Sequence, residues 1–401
     1  MVPKNWQKTV LKEILNGSIK NGFSPIPAEQ HTGYWVLGLG ALSDDGLNQN
    51  EIKPVEPTSK TLDSLLNSGD FLVSRSNTPD KVGRSIRFKG EIANCSYPDL
   101  MMRFRINEQI ADADFIEAFL KSPLVRDYYK SCAAGSSSTM VKINKAIVEN
   151  TPLVLPSITE QEKIAKILGT WDQAISTTEK LFTNTLQQKN ALMQQLLSGI
   201  NRISGFNDPW VKYKFSDLLY EIKKDVVNNP KDYELLSVKL HCKGVVRTGK
   251  YPTVTEGSRP YFIRNEGELI IGRQNLHNGG IGIVPKDVGG CIASNAISSF
   301  DVHENVSKSF MLYMMSRPLF FRRIDNLIGG TGQKEISVNE LFKLKIKIPS
   351  FEEQQRIARI LTTSYREIET LQQKLARLKQ EKKALMQQLL TGKRRVKVDE
   401  S

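Results

Sequence analysis

Residues Pro156–Leu168 read PSITEQEKIAKIL, and 193 positions later Pro349–Leu361 read PSFEEQQRIARIL. The match continues without a gap into KNALMQQLLSG at Lys189–Gly199 and KKALMQQLLTG at Lys382–Gly392, with 21 identities in 44 positions. Solenoid and propeller repeats recur every roughly 20–50 residues, so a single large unit duplicated within the chain is the simpler reading. Proline, serine and acidic residues ahead of an apolar periodicity mark a helix start, because acidic side chains favour the positive end of the helix dipole. Gly199 and Gly392 are the usual residue just past a helix end.

Inside both segments the apolar residues follow an alternating 4,3 spacing. In the first it falls on Ile164, Leu168, Trp171, Ile175, Phe182, Leu192 and Leu196, with Thr178, Thr185 and Lys189 in the remaining places. In the second it falls on Ile357, Leu361, Ile368, Leu371, Leu375, Leu378, Leu385 and Leu389, with Ser364 and Lys382 between them. A sustained 3.5-residue period predicts supercoiled packing against a partner helix, and a matched polar residue in such a seam fixes register. Each helix should run about 39 residues, or about 58 Å. An internal partner of the same length is always present at high effective concentration, although pairing with a second copy of the chain also satisfies the pattern.

The segments ahead of the helices correspond more loosely. NWQKTVLKEI from Asn5 aligns with PWVKYKFSDL from Pro209 on Trp6 and Trp210, and GDFLVSRSN from Gly69 aligns with GELIIGRQN from Gly267. FIEAFLKSPLVRDYY from Phe115 matches FMLYMMSRPLFFRRI from Phe310, and Ile143 matches Ile336. The offset falls from 204 to 198 to 195 to 193, as loop insertions and deletions in a diverged duplicate would produce. Strand-like β-branched patterns mixed with short helices predict α+β domains. The expected order is a globular domain at 1–155, a helix at 156–200, a second domain at 201–348, and a second helix at 349–401 with a basic C-terminal tail.

A chain of 401 residues with 39% apolar and 25% charged side chains is an ordinary globular composition, and a net charge of +13 favours a polyanion as ligand. No apolar run approaches the roughly 20 residues that span a bilayer, and the N-terminus lacks the apolar core of a signal peptide. A cytoplasmic location, with no membrane association, is the expectation. Cys95, Cys132, Cys242 and Cys291 have no CxxC spacing, and His31, His241, His277 and His303 have no metal or nucleophile spacing, so no metal is expected.

Catalytic motifs are not found. GGTGQK at Gly329–Lys334 lacks the spacing and the hydroxyl residue of a phosphate loop. LGLG at Leu37 and GGIGI at Gly279 lack the strand, helix and acidic residue of a dinucleotide fingerprint. NDPW at Asn207 departs from the amino-methyltransferase motif in its second residue, and Trp210 already has Trp6 as a counterpart. No cofactor is expected.

Two variable domains alternating with two near-identical helices, each opened by P-S-x-x-E-Q-x-x-I-A-x-I-L, resemble the specificity subunit of type I restriction-modification systems. The resemblance covers essentially the whole chain. It implies two target recognition domains, separated by helices that pack as an antiparallel coiled coil with pseudo-twofold symmetry. It also implies a non-catalytic role: double-stranded DNA is read as a bipartite, asymmetric site, and two methyltransferase subunits dock on the helices. Restriction subunits would join through the methyltransferase. A coiled-coil scaffold whose globular ends bind other proteins is the alternative.

Base reading calls for amide, hydroxyl and arginine side chains on loops, and backbone contact calls for lysine and arginine. On that ground the candidates for DNA contact are Arg75, Asn77, Ser137, Thr139 and Lys142 in the first domain, within or beside the loop Ser136–Lys142. In the second domain they are Arg273, Asn275, Thr331, Gln333 and Lys334.

Overall fold

The computed structural model describes residues 3, 5–44, 46–137, 140–253, 259–328 and 335–397. Its two long helices are Ile158–Leu196 and Phe351–Leu389, 39 residues each. The chain divides into two compact units, Met1–Glu179 with Gln373–Ser401, and Lys180–Gln372. Each unit thus holds one globular domain, the first half of the long helix that follows it, and the last half of the other.

Both domains are built on the same antiparallel frame. In the first unit the central sheet runs Lys20–Asn21, Met101–Phe104, Phe71–Ser74, Ser85–Arg87. In the second, Leu219–Glu221, Ile297–Val302, Leu269–Gly272 and Ile281–Ile283 repeat that order. A two-stranded pair closes each domain where the chain enters and leaves it: Gln7–Val10 with Pro152–Leu155, and Val211–Lys214 with Lys345–Ile348. A buried acid opens the first central strand in both. Asp70 is held by Arg105 at 2.7 Å and Arg103 at 3.4 Å, while Glu268 is held by Lys224 at 2.5 Å and accepts from Ser299 at 2.7 Å. Two carboxylates at one place in the frame, each paired because a lone buried charge is costly, mark a constraint of the fold.

The packing explains why contacts divide each helix midway. Ile164, Ala165 and Leu168 at the start of the first long helix join Phe71, Met102, Phe115 and Phe119 in the first core, together with Met386, Leu389 and Leu390 from the end of the second long helix. The second core takes Met193 and Leu197, with Ile357, Ala358 and Leu361, against Leu269, Phe300 and Phe310. Burying each of the leucine, isoleucine, methionine and phenylalanine side chains is worth about 1.5–3 kcal/mol. Every seam residue named above is buried or half-buried. At the ALMQQLL ends, however, Met193 and Leu197 are buried while the seam residues Leu192 and Leu196 are half-buried. There the helix fills a globular core as well as facing its sister.

Within the first unit the helix halves run antiparallel, since Asp172 pairs with Lys382 and Glu179 with Lys379. In the second, Lys189 Nζ stands 4.6 Å from the Tyr365 ring centroid, and burial lowers its pKa. Asp172 and Tyr365 occupy equivalent places in the repeat. The matched seam lysines are thus met by a carboxylate in one unit and by an aromatic face in the other.

The repeat reaches beyond its closing glycines. Gly199 and Gly392 have φ of 72° and 71°, and a Cβ on either would press on Trp210 or on Pro3 and Trp6. Three residues on, Arg202 and Arg395 are also matched. Arg202 grips Glu353 with two bonds of 2.8 and 2.6 Å, and Arg395 grips Glu160 with bonds of 2.6 and 2.8 Å. Glu160 accepts a third bond from Trp6 Nε1 at 3.2 Å. The adjacent glutamines act alike: Gln161 accepts the Asp112 N–H and Gln354 the Ser307 N–H, both at 2.9 Å. The basic tail is therefore a docked part of the first unit, with Val396 packed on its core.

Arg202→Ala should destabilise the chain by about 3 kcal/mol, because it strands a Glu353 carboxylate that is only 1% exposed. Arg395→Ala should cost less, about 1 kcal/mol, since Arg395 is 43% exposed and Trp6 still donates to Glu160. Denaturant unfolding followed by circular dichroism measures both, and equal losses would refute this account.

Candidate nucleic-acid interface

Arg75 directly follows the central strand Phe71–Ser74, and Asn77 lies in the short strand Ser76–Asn77. That short strand pairs with Met140–Lys142, setting Asn77 opposite Val141 and Ser76 opposite Lys142, and Met140–Lys142 pairs in turn with Ala134–Ser137. The Ile143 N–H donates to the Arg75 carbonyl at 2.9 Å. The fold therefore brings Asn77, Ser137 and Lys142 into one small sheet with Arg75 at its edge, whereas Thr139 lies outside the described residues. Lys142 is exposed and Arg75 half-buried. Asn77 is only 4% exposed: its amide donates to the Leu39 carbonyl at 3.4 Å and to Ser74 Oγ at 3.3 Å, and its carbonyl accepts the Thr78 N–H at 2.9 Å. These bonds position the turn, so Asn77 is better read as a support for the site than as a reader of bases. Arg126 braces the same turn through the carbonyls of Val82 and Asp80 at 2.6 and 2.7 Å, and burial lowers its pKa.

In the second unit the Ile336 N–H donates to the Arg273 carbonyl at 3.2 Å, the counterpart of the Ile143–Arg75 bond. The Arg273 guanidinium is paired with Glu335 at 2.8 Å, so it is less available than Arg75. Asn275 is exposed, and its side chain bonds to no described residue. Thr331, Gln333 and Lys334 lie outside the described residues. The matched arginines thus share a backbone role, and the matched asparagines have separate fates.

A further basic element stands beside Asn275. Leu236–Val238 and Val245–Arg247 form a hairpin, whose loop carries exposed Lys239, His241 and Lys243. The His241 and Cys242 N–H groups donate to the carbonyls of Asn278 and Gly279 at 2.8 and 2.9 Å. The contact needs φ of 58° and 55° at His241 and Cys242, and needs no side chain at Gly279, where a Cβ would sit 2.9 Å from the Cys242 nitrogen. Sequence reasoning missed this loop. Its signal was four lysines and arginines in the twelve residues Lys239–Lys250, which the charge of the whole chain obscured.

A family model for the type I restriction modification DNA specificity domain matches the chain twice, over residues 3–187 and 207–380. The chain belongs to this family. The matches start at 3 and 207 and end at 187 and 380, so their offset falls from 204 to 193, the drift read from the repeat. A chain of Methanocaldococcus jannaschii assigned as the MjaX type I restriction enzyme specificity subunit is 24% identical over 417 residues, spanning 99% of this chain and 95% of the relative. The MjaVIII specificity subunit of the same organism is 25% identical over 319 residues, 71% of each chain. The crystal structure of a type I restriction-modification S subunit from M. genitalium shares the fold, with a TM-score of 0.65 at 12% identity over 97% of this chain and 99% of that one. The protein is a DNA-recognition subunit with two target recognition domains, and a specificity subunit is a non-catalytic part of its complex. Among the described residues no helix is long and apolar enough to cross a membrane, and no histidine, cysteine, aspartate and glutamate cluster could hold a metal.

Asn77→Ala should cost about 1–2 kcal/mol, the loss of a buried and satisfied amide, and Asn275→Ala should change stability by less than about 0.5 kcal/mol. Thermal unfolding of the two variants checks this, and a destabilised Asn275→Ala would contradict the exposed placement.

Proposed function

We infer that each target recognition domain reads one half of a bipartite, asymmetric DNA site while the pair of long helices fixes the unread spacer. The observation that carries this reading is the double match to one DNA specificity domain on two diverged sequences. Two related readers on one chain bind two half-sites at a defined spacing, and their divergence makes the half-sites differ. Lys142 and the Lys239–Lys243 loop contact phosphates, whereas Arg75 and Asn275 reach base edges. Thr139, Thr331, Gln333 and Lys334 remain in the proposed contact loops.

The near-identical helices support docking of two identical methyltransferase subunits, through which restriction subunits join. The complex then works in the cytoplasm. The chain itself contributes specificity, and its partners contribute the chemistry.

The test is methylation by the chain assembled with its methyltransferase subunit, on duplexes that differ only in spacer length. Activity should fall sharply when the spacer changes by one base pair, and indifference to spacer length would refute the fixed-spacing mechanism. Replacing residues 1–155 by the same region of a relative should alter one half-site and leave the other unchanged. Asn275→Ala should relax discrimination at one position by about 1–3 kcal/mol. Lys142→Gln should weaken specific and unrelated duplexes alike.

A further inference from the structure

In the second unit, Val211–Lys214 and Lys345–Ile348 pair so that Lys212 lies opposite Lys347 and Lys214 opposite Lys345. Side chains alternate along a strand and directly opposed residues share a face, so four ammonium groups stand on one face of a two-stranded sheet. All four residues are exposed. Among the described residues none of them has an ion-pair or side-chain hydrogen-bond partner. Arg323 adds a fifth cation, its Nη1 donating to the Lys345 carbonyl at 2.8 Å. The carboxylate placed here, Asp217, accepts the Lys214 backbone N–H at 2.9 Å and caps the next turn.

Like charges directly opposite one another destabilise a sheet, so the arrangement works against the fold that carries it. The first unit shows that the frame does not require it. There the equivalent positions are Lys8 opposite Val154 and Val10 opposite Pro152, a single cation. The same sheet closes its domain with one lysine in place of four.

We propose that this lysine face is a phosphate-contact site that takes the backbone of duplex DNA at the half-site read by the second unit. The inference rests on the DNA-recognition reading above, and charge complementarity selects the occupant. An array of cations whose ammonium groups pair with none of the described carboxylates suits a polyanion of regular spacing. Such contacts add affinity and fix register without carrying sequence information. The site also makes the two half-sites unequal, because the second unit holds more of the salt-dependent contact than the first.

The experiment compares the parent chain with a variant carrying Lys212→Gln, Lys214→Gln, Lys345→Gln and Lys347→Gln, each assembled with the methyltransferase subunits. The probes are a mixed-sequence duplex and a duplex carrying the site the complex methylates, titrated across a salt series. Each phosphate contact adds about 0.9 to the slope of log affinity against log salt, so the variant should show a slope shallower by about 3–4. Its affinity should fall by the same factor on both duplexes, and its thermal midpoint should stay equal or rise, because the opposed charges are gone. An unchanged slope in an assembled variant overturns the proposal. Weaker assembly together with an unchanged slope in the complex that does form assigns the face to protein contact and overturns it equally. Should the fourfold variant fail to assemble at all, the pairs Lys212→Gln with Lys347→Gln, and Lys214→Gln with Lys345→Gln, must each give about half the change in slope. If the parent complex cannot distinguish the two probes, the DNA-recognition reading fails instead.

Discussion

Each long helix opens on a buried glutamate, and the arginine that follows the end of one helix closes on the glutamate that opens the other. A carboxylate 1–2% exposed needs such a partner, and the two-pronged guanidinium supplies it with fixed geometry. In the first unit the fork of Arg395 on Glu160 lies beside Trp6, and in the second the fork of Arg202 on Glu353 follows Gly199, which stands against Trp210. The adjoining glutamine ties the helix start to a helix cap in the globular domain. Helix start, helix end and domain are thereby fastened at one point in each unit. The distribution of identity follows from this. Only two of the 21 identities, Ile175 and Thr177, fall within 171–186, and the rest crowd the two ends where the forks close and the cores are filled.

Much of this frame could be read from the sequence because it is written in short-range terms. The helices declare themselves by a 3.5-residue period and by proline and glycine at their limits, so a length of about 39 residues followed directly. The duplication of the domains was legible in a drifting offset, because Trp6, Gly69, Phe115 and Ile143 each have a partner. What stayed hidden depends on contacts between distant residues. Nothing local tells that Trp6 and Gly392 touch, or that Glu160 and Arg395 form an ion pair across 235 positions. The identity of Arg202 and Arg395 at the same offset of 193 was the available sign, and it lay just beyond the glycines taken as the end of the repeat.

The candidate site was less legible for the same reason. Asn77 and Asn275 are equivalent by alignment and opposite in environment, since a neighbouring loop reaches over one and leaves the other in solvent. Residue type could not separate them, because an amide that supports a turn and an amide that reads a base look alike in sequence. Arg75 and Arg273 differ in the same way, the second being paired with Glu335. Their shared feature, a carbonyl that accepts from Ile143 or Ile336, belongs to the backbone and is silent about side-chain role.

A duplicated frame supplies its own control. Where both units keep a residue, as with the buried acids Asp70 and Glu268, the shared fold is sufficient reason. Where equivalent positions differ, the shared frame does not require the difference, because the other unit stands without it. The lysines at 214, 345 and 347 fall in the second class, where the first unit has Val10, Pro152 and Val154, and together with Lys212 they carry an electrostatic cost that the first unit avoids. A side chain retained against its own effect on stability points to something outside the chain that offsets the repulsion. For a DNA-recognition subunit with a net charge of +13, the phosphate backbone is the partner whose charge does so.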